Sequence, residues 1–369
     1  MNIAILYGGK SGEHEVSLVS ASSIARNIPE NGNAIRLIGI TKNGDWYLQD
    51  ESLLREIRAN AKATLSITEK EDRRISIVPG GGIKGAFVTS STGAIPVDVA
   101  FPVLHGTFGE DGTIQGLFEM AEVPYVGGGV MASSVAMDKE KTKALWQAAG
   151  LPVVPYVSIR LAEWSDETTK DALVKKSEKD LSYPLFVKPA CAGSSVGAAK
   201  ASNRDELVRR ADEAFRWDDK IIIEPFIPAR EIECSVTGNA SPVAYTPGEI
   251  IPTHEFYDYD AKYTDPDGAS LKIPADLGED TTKRVRQLAC SAYRTLDLSG
   301  LSRVDFFIDK RNGNLYLNEI NTIPGFTSIS MFPKMCEASG LPYGELVMAL
   351  IGLAHERFNA RRSLRTSRQ

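Results

Sequence analysis

The stretch Arg303-Val-Asp305-Phe-Phe-Ile-Asp, followed by Leu315-Tyr-Leu-Asn-Glu319-Ile-Asn321, reads as two strands joined by a Lys-Arg-Asn-Gly-Asn turn. Side chains alternate along a strand, so Arg303, Asp305 and Phe307 share one face of the first strand, and Glu319 and Asn321 share one face of the second. A turn centred on Asn312 sets Asp305 opposite Glu319, which is the expected register; a two-residue Asn312-Gly313 turn would set it opposite Ile320. Two carboxylates and an amide in a short row are hard oxygen donors, suited to Mg²⁺ shared between protein and phosphates. The irregular segment Thr322-Ile-Pro-Gly325 follows.

A phosphate partner for that metal is visible elsewhere. Lys188 ends an apolar strand, and Pro189-Ala-Cys-Ala-Gly-Ser-Ser-Val-Gly197 follows it. Gly193 and Gly197 permit close backbone approach, and Ser194 and Ser195 can donate hydrogen bonds. Lys262 sits in Tyr257-Asp-Tyr-Asp-Ala-Lys-Tyr263, a polar, aromatic-rich loop too long for a tight turn and therefore read as a lid. Two lysines and a metal would neutralise a triphosphate. Glu224-Pro225-Phe226-Ile227 follows another apolar strand, and a carboxylate there can accept the amino group of adenine. Cys191 lies in the phosphate loop and reads either as an exposed, modifiable thiol or, more commonly for the residue type, as a small apolar filler.

The glycine-rich Gly8-Gly-Lys-Ser-Gly12 matches neither GxxxxGK[ST] nor GxGxxG. What it offers is a strand, a tight turn and a helix start carrying Glu13, His14, Glu15 and Ser17. Free amides at a helix start attract an anion, and a carboxylate beside them can hold an ammonium, so the segment suits a small zwitterion. Local position leaves open whether Glu13 and Glu15 do this or only complement the helix dipole.

These groups need a scaffold, and composition allows one. The chain has 369 residues, 43% hydrophobic and 24% charged, enough for two or three domains. A net charge of −6 argues against a dedicated nucleic-acid binder, so any polyanion contact is expected to be local. No apolar run approaches membrane-spanning length, and the N-terminus enters Ile3-Ala-Ile-Leu-Tyr7 without a basic leader, so a cytoplasmic protein with no membrane contact is expected. Four widely spaced cysteines and four histidines indicate neither zinc nor a disulfide framework.

The first third alternates strand and helix, as in an open α/β sheet: strand from Ile3 to Tyr7, helix through Ser20 to Asn27, strand from Ala34 to Ile40. Residues 59–95 are polar and glycine-rich and read as an insertion, after which Val97-Asp-Val-Ala-Phe resumes the sheet. One helix is expected from Met131 to Ala149, then a proline-stiffened hinge at Leu151-Pro-Val-Val-Pro155. Beyond it come helix 166–178, strand Leu185 to Lys188, helix 203–216 capped through Ser202 and Asp205, and strand Lys220 to Glu224. The Arg-rich end from Asn359 reads as frayed. The expected division is 1–130, 131–219 and 220–358 with a lid over 252–273, then a tail over 359–369.

Eight ordered stretches together resemble the D-alanine:D-alanine ligase family of the ATP-grasp superfamily, from the first strand to about residue 355. They are Gly8 to Ser17, Leu104-His-Gly-Thr-Phe-Gly-Glu-Asp-Gly112, Met137-Asp-Lys139, Val187-Lys-Pro189 with Gly193 to Gly197, Glu231-Ile-Glu-Cys, Tyr257 to Tyr263, Arg303-Val-Asp305, and Asn318 to Thr327. The resemblance implies a mixed α/β ATP-grasp fold, with an N-terminal open α/β sheet domain, a small central domain and a C-terminal metal and substrate domain. It also implies a cytoplasmic homodimer using ATP and two Mg²⁺ or Mn²⁺ ions per subunit. The implied reaction joins two D-alanines through a D-alanyl phosphate, releasing ADP and phosphate, for peptidoglycan precursors.

By the same resemblance, Lys139 and Lys188 would contact ATP phosphates under a loop closed by Ser194 and Ser195. Glu224, Pro225, Phe226 and Ile227 would read adenine, Glu231 the ribose, and Asn318 would sit at the nucleotide. Asp305 and Asn321 would each hold one metal ion, with Glu319 bridging both. Arg303 and the Gly325 amide would hold the acyl oxygen. Glu15 would bind the first ammonium, linked through Ser194 to Tyr263, while Lys262 and Ser330 would hold the second carboxylate. His105 would lie near the substrates. A D-lactate or D-serine ligase of the same superfamily and a non-catalytic small-ligand binder are the alternatives; Tyr263 matches the peptide-forming pattern, and a binder has no need of the Asp305, Glu319 and Asn321 set.

Overall fold

The computed structural model describes residues 1–252 and 269–365. Its first sheet has the order Trp46–Leu48, Ala34–Ile40, Asn2–Gly8, Val99–Val103. The last three strands run parallel and the short edge strand is antiparallel. Ile3, Ile5 and Tyr7 enter one core while Ala4 and Leu6 enter another, as the two-residue period requires of a sheet buried on both faces. The first face is covered by helix His14–Asn27 and, from the far end of the chain, helix Tyr343–Arg362 through Leu346, Val347, Leu350 and Ile351. That helix carries the first residues of the segment expected to fray, up to Arg362, and Arg361 reaches Glu119 at 3.3 Å.

The second face is closed partly by the segment read as an insertion. It forms a small antiparallel sheet of Ser76–Ile77, Phe87–Thr89 and Gly93–Ile95, and fully buried Phe87 packs there against Phe118.

A second sheet, antiparallel throughout, has the order Ala199–Ala201, Leu185–Pro189, Lys220–Pro225, Val157–Arg160. Helices Glu167–Leu181 and Arg204–Ala214 cover it through Val174, Leu207 and Ala211. Asn203 caps the latter helix by accepting from the Glu206 amide at 3.0 Å, and the Glu206 carboxylate accepts from the Ser202 amide. The cap therefore sits one residue later than the Ser202 and Asp205 spacing implied.

The C-terminal sheet has the order Ala269–Lys272, Gly248–Pro252, Ala229–Gly238, Gly300–Asp309, Leu315–Asn321. Helix Glu279–Thr295 packs on it through Val285, Ala289 and Tyr293. The single helix expected over Met131 to Ala149 is two, Val130–Met137 and Lys139–Ala148. Between them Asp138 adopts an extended backbone and accepts from the Lys141 amide at 3.1 Å, because an aspartate can replace the missing helical bond with its own carboxylate.

Fully buried Trp146 donates its indole N–H to the Ala292 carbonyl at 3.1 Å, which anchors the second helix to the C-terminal core. The proline-rich segment that follows is no free hinge: Leu317 donates to the Pro152 carbonyl at 2.8 Å, and Val153 pairs with Leu317 as a short parallel bridge.

Candidate active site

The hairpin that carries the oxygen donors pairs Asp305 with Glu319 and Arg303 with Asn321. The turn alone does not produce that register. From Ile308 opposite Leu315 to Phe306 opposite Leu317 the pairing would continue to Asp305 opposite Asn318; a bulge after Phe306 shifts it by one residue. Asn318 is the extra residue, and it accepts from Lys188 Nζ at 3.2 Å.

Asn321 Nδ2 donates to Asp305 Oδ2 at 2.9 Å, and Arg303 grips both Asp305 oxygens at 2.7 Å. Arg303 Nε also lies 3.0 Å from Glu233 Oε2. Burial would lower the Arg303 pKa, but Asp305 and Glu233 outweigh it and hold the guanidinium well above its usual range. Among the described residues no group of three or more His, Cys, Asp or Glu side chains is arranged to hold a metal. The Asp305, Glu319 and Asn321 set instead offers two carboxylates and one amide on adjacent strands. That donor set fits a hard dication which takes its remaining ligands from phosphate and water.

Facing this hairpin are lysines of the second sheet and its preceding helix. Lys139 donates to the Ala192 carbonyl in the phosphate loop at 2.7 Å and lies 3.8 Å from Glu319 Oε2. Lys220 fastens the start of that helix by pairing with Asp138 and, at 2.7 Å, Glu140. Lys188 Nζ lies 2.8 Å from Glu224 Oε2, and Lys143 Nζ lies 2.8 Å from Glu224 Oε1.

A Glu224 carboxylate expected to accept from adenine is thus already engaged by two lysines. The residue is 3% exposed, and each of its oxygens serves an ammonium. Burial pushes its pKa up, but the two ammoniums prevail and hold it below the usual carboxylate range. Burial likewise pulls Lys143 down, with Glu224 opposing. Pro225, Phe226 and Ile227 are half-buried, with Lys200 Nζ 4.4 Å above the Phe226 ring. Glu231 lies on the neighbouring strand opposite Phe307.

The phosphate loop has a demanding backbone. Ser194, Ser195 and Gly197 have φ of 51°, 58° and 70°, a region unfavourable to residues with a Cβ. A Cβ on Gly197 would come within 2.6 Å of Trp217 Cδ1. Burial pushes the Cys191 thiol up to about 12, leaving it little thiolate character at neutral pH.

Glu13 and Glu15 separate clearly. Ser194 Oγ donates to Glu13 Oε1 at 2.5 Å, and added Cβ atoms on Gly106 and Gly193 would lie 2.9 and 3.3 Å from Glu13 Oε2. Glu15 is largely exposed, pairs with Lys42, and has its pKa lowered mainly by that hydrogen bond. The expected link of Glu15 to Ser194 is thus corrected to Glu13. Two residues span about 200° of a helix, so the residue four before inward-facing Ser17 faces the site and Glu15 turns away. Ser17 is buried and donates to the Val103 carbonyl, which marks the inward face of this helix.

His105 and Glu110 hold the irregular loop after the hairpin. His105 Nδ1 donates to the Ile323 carbonyl at 2.9 Å, and Nε2 shares a 3.3 Å hydrogen bond with Ser20 Oγ. Glu110 accepts from the Gly106 and Ile323 amides, both at 2.9 Å. Burial, and then Glu13, raise its pKa. Gly325 lies against Ser330, whose hydroxyl accepts from the Thr327 amide at 3.0 Å. Lys262 and Tyr263 lie outside the described residues. The strands flanking their segment pair antiparallel, with Pro252 opposite Ala269.

The whole chain has counterparts. The family model described as "D-ala D-ala ligase N-terminus" matches residues 2–128, and "D-ala D-ala ligase C-terminus" matches residues 145–352. A D-alanine–D-alanine ligase of Treponema denticola is 61% identical over 369 residues, covering 100% of both chains. One of Treponema pallidum is 47% identical, covering 99% of this chain and 91% of that protein. Among solved structures, the D-alanine–D-alanine ligase of Coxiella burnetii superposes with a TM-score of 0.83 at 37% identity, covering 98% of this chain and 96% of that one. A D-Ala:D-Ser ligase of Enterococcus faecalis gives 0.81 at 36%, covering 96% and 99%.

Proposed function

The chain belongs to the D-alanine–D-alanine ligase family, and from that premise we propose how its residues divide the work. It has the ATP-grasp fold and joins two D-alanines into D-alanyl-D-alanine at the expense of ATP, a step of peptidoglycan precursor synthesis. Among the described residues no helix is long and apolar enough to cross a membrane. Action in the cytoplasm, as a homodimer divided near residues 130 and 220, completes the proposal.

The first D-alanine presents its carboxylate to the γ-phosphate, and a mixed anhydride, D-alanyl phosphate, forms as ADP leaves. The amine of the second D-alanine then attacks the acyl carbon and expels phosphate. The protein's part is alignment and charge stabilisation. Glu13 holds the ammonium of the first D-alanine, positioned by Ser194 from the phosphate loop. Lys139 and Lys188 take the phosphates, and Ser195 closes over them. The backbone at Pro225 to Ile227 reads the adenine edge, and Glu231 takes the ribose.

Arg303 and the Gly325 amide hold the acyl oxygen as negative charge develops there. His105 and Glu110 fix the loop that carries this amide. Lys262 and Ser330 hold the second carboxylate, and Tyr263 closes over the amine. Asp305, Glu319 and Asn321 would hold Mg²⁺ or Mn²⁺, two ions per subunit, whose chemistry is to offset the charge on the transferring phosphoryl group.

The observation that carries this reading is the Ser194 to Glu13 hydrogen bond, which joins the substrate end of the first sheet to the phosphate loop. A panel of D-amino and D-hydroxy acids, assayed for phosphate release and product mass, tests it. D-alanine alone should give the dipeptide; preferential incorporation of D-serine or D-lactate at the second position would overturn the assignment.

A further inference from the structure

Helix Lys139–Ala148 sets Lys139 and Lys143 four residues apart on one face. Lys139 reaches the phosphate loop, whereas Lys143 is 0% exposed and ends on Glu224. A fully buried lysine is rare and costly unless paired. The position of the helix does not depend on it, since Trp146 anchors one end through Ala292 and Asp138 fastens the other through Lys220. Lys143 must therefore be explained by its charge.

Glu224 receives one ammonium on each oxygen, Lys143 on Oε1 and Lys188 on Oε2. Lys188 has a second partner in Asn318, the bulge residue of the hairpin. To serve a triphosphate, Lys188 has to turn from Glu224. Without Lys143 that movement would strand a bare carboxylate in the interior, so Lys188 would stay bound and its charge would be cancelled. With Lys143 present, Glu224 remains paired and one positive charge is left for the nucleotide.

We propose that Lys143 is a positioning residue for ATP: it neutralises Glu224 and so releases Lys188 to the phosphates. The proposal rests on the assignment of Lys188 to the phosphates.

The test measures ATP affinity by calorimetry in the absence of D-alanine, together with KM for each substrate, in Lys143→Met, Glu224→Gln with Lys143→Met, and Lys188→Met. A folded K143M should bind ATP about tenfold more weakly or worse, with KM for D-alanine unchanged. Adding E224Q should recover most of that loss, because a neutral amide needs no counter-charge. If K143M alone does not fold, the double variant carries the test, since removing both charges strands neither. Weak ATP binding by a folded double variant, or parent-like binding by K143M, overturns the proposal. If K188M binds ATP like the parent, the phosphate assignment and this proposal fail together; if only K188M is weakened, this proposal alone fails.

Discussion

Ser194 Oγ donates a 2.5 Å hydrogen bond to Glu13 Oε1 across 181 residues of sequence. The contact joins the helix start after the first strand to the glycine-rich loop after Lys188. Glu15, two residues on, is held outside by Lys42.

Glu13→Gln should therefore lower kcat/KM for D-alanine by about 30- to 150-fold, the worth of a charge-assisted contact of roughly 2 to 3 kcal/mol. Glu15→Gln should stay within about twofold, as expected for an exposed ion pair. Steady-state kinetics with varied D-alanine checks both, and the opposite ranking would return the anchor to Glu15.

Glu319→Gln should abolish ligation, by about 100-fold or more, and leave the melting transition in place, because it removes a charge expected to lie between two cations. Circular dichroism and turnover across a Mg²⁺ titration separate the two effects. Near-normal turnover at ordinary Mg²⁺ would remove this residue from the metal set.

Gly197→Ala should weaken ATP binding more than it destabilises the fold. The position has φ +70°, and its Cβ would meet Trp217 at 2.6 Å, at a cost of about 1 kcal/mol or more that falls on the phosphate loop. Parallel melting and ATP titrations decide, and an unchanged ATP affinity contradicts the role of the loop.

Glu224 has its pKa held below the ordinary 4.5 by Lys143 and Lys188, against the opposing effect of burial. A carboxyl whose folded pKa is depressed contributes stability that is fully present above its unfolded pKa and is lost as pH falls through the folded value. Melting temperatures of the parent should thus fall on acidification below 4.5 more steeply than those of the K143M/E224Q double variant. Equal slopes would show that the buried pair does not govern this acid transition.

The open sheet of the first third was legible because Ile3 to Tyr7 is an uninterrupted apolar run and Ala34 to Ile40 is apolar but for Arg36, both bounded by glycine and polar turns. The pairing of Asp305 with Glu319 was legible in its result but not in its cause, since a bulge at Asn318 leaves no mark in a two-residue alternation. The break at Asp138 was hidden because Asp is tolerated within helices and caps them equally well. The pairing of Glu224 was hidden for a different reason. A strand-end carboxylate looks free until Lys143, eighty-one positions earlier, folds onto it, and only tertiary structure brings that charge there.

The most direct test of the central claim uses D-alanine labelled with ¹⁸O in its carboxylate and follows the label under turnover with ATP. If the first carboxylate attacks the γ-phosphate and the second amine displaces phosphate from the resulting acyl phosphate, each dipeptide formed should leave one labelled oxygen in the released phosphate. Dipeptide accompanied by unlabelled phosphate would contradict the acyl phosphate, and with it the roles of Glu13, Arg303 and Gly325 in forming and holding it.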